Sequence, residues 1–135
     1  MTYRTKAERS GGEYFLATGA VLAGLGVAAG AFGTHLLKSQ YGAEELEIWR
    51  TAASYQMYHA LALIVAARLY ARHPSRLLRV TCSLFIAGIA LFSGSLYLLA
   101  LTGQSPLGLI TPLGGAAFLA GWGCLAVGIV RPSES

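Results

Sequence analysis

The stretch VTCSLFIAGIALFSGSLYLLALTGQSPLGLITPLGGAAFLAGWGCLAVGIV, residues 80–130, runs fifty-one residues without one Asp, Glu, Lys or Arg. A bilayer hydrocarbon core about 30 Å thick takes about 20 apolar residues per helix. The stretch therefore reads as two spans joined at Thr102-Gly103-Gln104-Ser105-Pro106. Working outward, 14–37 and 51–70 are two further apolar stretches, the first ended by Lys38-Ser39-Gln40-Tyr41-Gly42. The fold expected is an all-α membrane protein, one domain over 1–135 arranged as a four-transmembrane-helix bundle, with spans at about 14–37, 51–70, 80–101 and 111–130.

Only 12% of the 135 residues are charged, against about 25% in soluble domains, and 55% are hydrophobic. The net charge of +4 sits at span ends rather than along one stripe. This pattern anchors and orients helices and argues against nucleic acid as a partner. On a four-span reading, eight Lys and Arg fall in the amino-terminal tail, the 68–79 connector and the carboxy-terminal tail, against two on the other side. The positive-inside rule then places both termini in the cytoplasm. Arg4, Lys6 and Arg9 resemble the start of an export signal, but the apolar run 14–37 exceeds the 7–15 residues of a signal core. It reads as a retained span. Cys82 and Cys124 lie inside spans toward the reducing side and read as structural thiols.

Burial cannot join helices in lipid, where the solvent is as apolar as leucine; close backbone approach and interhelical hydrogen bonds must do so. Gly19, Gly26 and Gly33 recur every seven residues, with Gly30 near the same face, and form a glycine groove along the first span. The first connector reads as helical from Ala43, with Leu46 and Trp49 forming an apolar side. Arg68, Arg72, Arg76 and Arg79 mark the second connector, where Pro74 breaks the helix. Thr111-Pro112 reads as a capping hydroxyl followed by a first-turn proline, and the last span ends at Arg131-Pro132.

Few intramembrane side chains carry chemistry. The candidate polar cluster is His35 at the end of the first span, Tyr55, Gln56 and His59 on one face of the second, and Ser93, Ser95 and Tyr97 of the third. A buried His must face protein or water, so this face turns inward. A proton relay, a metal site and a haem ligand are the functional readings; an interhelical hydrogen-bond cluster is the reading adopted. At 1.5 Å per residue, His59 lies about 12 Å inside its span and His35 about 3 Å inside the end of its own, a poor match for two axial ligands of one haem. No Asp or Glu falls within a span and three histidines are too few for a three-His site, so neither metal nor any other cofactor is expected. Ser93-Gly94-Ser95 lacks the flanking glycines of a nucleophile elbow, and residues 103–108 lack the lysine of a phosphate-binding loop. No internal repeat suggests alternating access.

Four ordered segments carry a resemblance: Gly30-Ala31-Phe32-Gly33-Thr34-His35, Tyr55-Gln56-Met57-Tyr58-His59-Ala60-Leu61-Ala62-Leu63, Leu91-Phe92-Ser93-Gly94-Ser95-Leu96-Tyr97 and Ile110-Thr111-Pro112-Leu113-Gly114-Gly115. Together they resemble the DUF423 family of small bacterial membrane proteins, related to the eukaryotic transmembrane protein 256, over about 15–130. Thr34 stands where the family pattern has Ala, and Leu36 where a small residue is common. The resemblance implies a four-span protein of the bacterial inner membrane. It brings no activity, cofactor or catalytic residue, and the eukaryotic relatives associate it with energy-transducing membranes.

The function expected is non-catalytic: an accessory, stabilising or assembly subunit of a larger membrane complex, with lipids and an integral-membrane subunit as partners and a respiratory complex as the first class to test. The alternative is a small oligomeric transporter or channel with a polar path around His59.

Overall fold

The computed structural model describes residues 5–131, without the side chains of residues 8–10. Arg4, Pro132 and the side chain of Arg9 lie outside the described residues. Within them the chain is helical throughout, with no strand. Helix α1 spans Lys6–His35, longer than the apolar run suggests because the amino-terminal polar residues continue the same helix. A tight turn at Leu37–Ser39 leads to Gly42, whose extended backbone starts α2 at Ala43–Arg72. Glu44 and Glu45 occupy the first turn of α2, where carboxylates complement the helix dipole. The helix stops before Pro74, which cannot follow an α-helical residue without a clash. Ser75 Oγ then accepts the Leu78 N–H at 3.1 Å and caps α3, Arg76–Gly88.

The third long helix is not uniform. Between α3 and α4, Gly94–Thr102, the segment Ile89–Ser93 winds wider, and the Gly94 N–H reaches the Ile89 carbonyl five residues back. Such π-helical turns insert one residue and rotate the helix beyond them. Gly103 closes α4 in the left-handed conformation, φ 67°, where glycine costs least. A short turn at Ser105–Leu109 precedes α5, Thr111–Val130. Thr111 does not cap α5; its hydroxyl hydrogen-bonds to Ser95 across the turn instead, 2.6 Å away.

Three segments are long and apolar enough to cross a membrane: Gly11–Ser39, Arg76–Thr102 and Ser105–Val130. Among the described residues α2 does not qualify, because Ser54, Gln56 and His59 dilute its apolar run. It is nonetheless the central element. Helix α1 packs on one side of α2; α3, the wide turn and α4 pack on the other; and α5 packs on α3 and the wide turn. Helices α1 and α5 share no substantial interface, so the four long helices form an open array and not a closed ring. The main core joins α2, α3 and α5 through fully buried Leu63, Cys82 and Phe85, with Phe118 and Leu125; a smaller one gathers Leu37, Leu46, Trp49 and Ala100 at the opposite end. Both cysteines are free.

Glycines set the α1–α2 distance. A Cβ at Gly19 would meet Ile64 at 2.7 Å, one at Gly26 would touch Met57 at 3.5 Å, and one at Gly33 would collide with the Trp49 indole. The seven-residue spacing extends to Gly12, where a Cβ would meet Ala71 at 2.8 Å. Gly30 departs from the sequence reading. A Cβ there meets nothing within 4 Å, since between Gln56 and Trp49 the inner face of α2 offers only the short Ala52 and Ala53. In the second half of the molecule, Gly88 admits the Phe118 ring, Gly114 admits the backbone of Phe92 and Gly121 admits Phe85.

Candidate functional site

Helix α2 is held through polar side chains that lipid could not satisfy. Buried Gln56 works in two directions: its Nε2 donates to the Leu22 carbonyl of α1 at 2.8 Å, and its Oε1 accepts the Tyr97 hydroxyl of α4 at 2.7 Å. Ser93, brought round by the wide turn, donates to the Ala52 carbonyl of α2 at 2.7 Å. Ser95 donates to the Phe92 carbonyl at 3.0 Å, which leaves Thr111 as the donor in their mutual bond. At the end of the array where α1 turns into α2, Trp49 Nε1–H donates to the Ala29 carbonyl at 2.7 Å.

His59 faces α5. Its Nδ1 lies 2.8 Å from the Tyr55 carbonyl, which can only accept, so Nδ1 carries the proton. Its Nε2 then offers a lone pair, and Trp122 Nε1–H donates to it at 3.1 Å. Both ring nitrogens are engaged and the imidazole is neutral in this arrangement. Its plane stacks on Phe118, centroids 3.5 Å apart and planes 10° from parallel. Phe85 meets the same imidazole edge-on, and Phe92 packs at a tilt against Tyr55, ring centroids 4.6 Å apart. The result is a cleft of about 560 Å³ between α2 and α5, floored by His59 and walled by Tyr55, Phe92, Phe118 and Trp122. Tyr55 and Trp122 are 40% and 45% exposed at its mouth.

The seven residues read from the sequence as one cluster therefore separate. Gln56 and Tyr97 bond directly, Ser93 ties to α2 by itself, and Ser95, in the first turn of α4, pairs with Thr111 at the start of α5. His59 points to α5, and Tyr55 supplies it with a carbonyl and a neighbouring ring. His35 is exposed in the last turn of α1 and joins none of them. Trp122, Phe118, Thr111 and Trp49 complete the network, and of these the sequence offered a signal for Trp122: an indole in mid-span needs an acceptor for its N–H. Among the described residues no buried side-chain polar atom lacks a partner, and no three His, Cys, Asp or Glu gather as a metal site. Ligation through His59 Nε2 would require Trp122 to release it.

Residues 29–115 match the family described as "Protein of unknown function (DUF423)". The chain is 47% identical over 119 residues to the UPF0382 membrane protein YwdK of Bacillus subtilis, covering 87% of this chain and 96% of that one. It is 42% identical over 117 residues to a UPF0382 membrane protein of Staphylococcus saprophyticus, covering 87% and 97%. To the UPF0382 inner membrane protein YgdD of Escherichia coli it is 43% identical over 106 residues, covering 78% and 80%. No solved structure matches it. The matched segment begins near the close of the glycine face, contains the Tyr97–Gln56 and Ser93–Ala52 bonds and His59 itself, and stops just after Gly114. With these relatives, the chain belongs to the DUF423 family of membrane proteins.

Proposed function

We propose that this protein is a four-span, non-catalytic accessory subunit that stabilises or helps assemble a larger complex in the bacterial inner membrane, with both termini cytoplasmic. The observation that carries the reading is the use made of the polar groups. Gln56, His59, Ser93, Ser95 and Tyr97 all join helices, and among the described residues no buried side-chain polar atom is left without a partner for a reaction to use. The fourth span is α2, too polar to cross alone, donating to the Leu22 carbonyl of α1 on one side and accepting from Ser93, Tyr97 and Trp122 on the other. Its open strip at Tyr55 and Tyr58, 40% and 60% exposed, is the surface a partner helix would cover. The inner-membrane name of the Escherichia coli relative supports the location.

Native purification in mild detergent, with mass spectrometry of co-purifying proteins, tests the reading. A stoichiometric integral-membrane partner is expected, and a respiratory complex is the class to examine first. The cleft beside His59 is the feature a small transporter or channel would use. Recovery of a pure homo-oligomer that conducts solute in liposomes would replace the accessory reading with that one.

A further inference from the structure

We propose that the groove between the α2–α3 connector and the last turn of α5 binds an anionic diacyl phospholipid. The groove measures about 1020 Å³. Its lower walls are apolar, with Leu69, Leu77, Val80 and Ile129, and its upper part carries His73, Arg76 and Arg131. Val80 and Ile129 are exposed, and so are the three basic side chains. No Asp or Glu lines it among the described residues. Helix α3 starts at Arg76 and α5 ends at Val130, and both belong to segments able to cross a membrane. The groove therefore sits where two apolar lengths end, at the level of the lipid headgroups.

That order of surfaces matches an amphiphile: acyl chains along Val80 and Ile129, and a phosphodiester between two guanidinium forks, whose planar donors suit phosphate oxygens. Basic pockets between spans at a membrane surface hold anionic headgroups in this manner. Nearby Arg79 is engaged elsewhere, donating to the Tyr70 hydroxyl at 3.3 and 3.2 Å. The apolar walls have no use for a free phosphate ion, so the site is assigned to lipid. The inference needs no protein partner and stands apart from the accessory reading.

The test uses the full chain, purified in neutral detergent, titrated with phosphatidylglycerol or with phosphatidylcholine of the same acyl chains, and read by native mass spectrometry and thermal melting. Phosphatidylglycerol should be retained and should raise Tm, and phosphatidylcholine should do neither. Arg76→Gln with Arg131→Gln should weaken retention about thirtyfold, or about 2 kcal/mol at about 1.4 kcal/mol per tenfold. Lys38→Gln with Arg50→Gln, removing equal charge at the opposite end, should leave it unchanged. Equal retention of the two lipids, equal loss in both double variants, or equal stabilisation by inorganic phosphate would each overturn the proposal. Should the Arg76→Gln, Arg131→Gln protein fail to fold, the comparison of the two lipids and phosphate on the unaltered chain decides it.

Discussion

The His59 imidazole shows how much one hydrogen bond commits in lipid. With Nδ1–H on Tyr55 and Nε2 on Trp122, either partner's loss strands a polar atom, under the four-span reading at a depth where water does not compete. Trp122→Phe should lower stability by about 0.6 kcal/mol and by no more than about 1.7 kcal/mol, the range measured for interhelical bonds. His59→Leu should cost at least as much, and a double-mutant cycle should return a coupling of similar size. Gln56→Leu should cost more than either, because it frees the Leu22 carbonyl and the Tyr97 hydroxyl together. Unfolding in mixed micelles measures all four variants, and zero coupling between positions 59 and 122 would show that their bond contributes nothing. That Gln56 and His59 face protein is legible in one chain, since lipid has no partner to offer them. Their partners are not legible: a carbonyl such as that of Leu22 has no residue-type signature, and Trp122 is sixty-three positions from His59 in the chain.

At the scale of helices, the glycine spacing on α1 makes a sharp distinction. Gly33→Leu and Gly19→Leu should force α1 from α2, because Trp49 and Ile64 already fill the space a Cβ would take. Gly30→Leu should be tolerated. Thermal stability of the three variants checks the order, and a Gly30 variant as unstable as the Gly33 one would mean that α1 sits rotated from its described face. The helices themselves were readable because uncharged runs near the length of a bilayer core have few other uses. The wide turn at Ile89–Ser93 was not, since no residue type marks it and its effect depends on α2 lying across from Ser93. Thr111 misled for a related reason: hydroxyl followed by proline is a sound capping pattern, but Ser95 across the turn competes for the same hydroxyl.

For the whole molecule, the interlocked ends make an even number of crossings testable. Gly12 meets Ala71 and Gly128 meets Leu78, so the start of α1, the α2–α3 connector and the end of α5 gather at one end, which is also the basic end. Reporter fusions at Ser135 and at Gly42 should report opposite compartments. The same compartment for both would remove the four-span reading and leave α2 lying along the membrane surface. The open arrangement also gives the accessory proposal its physical content, because α1 and α5 each pack on one side only.

The low apolarity of α2 bears on how such a chain enters its membrane at all. A segment carrying Gln56 and His59 gains little by leaving the translocation channel alone, whereas α1, made just before it, presents the Leu22 carbonyl and a glycine-lined trough to pair with it. Under the four-span reading the two would be released as a hairpin. The segment least able to insert by itself would then owe its place to the one synthesised just before it.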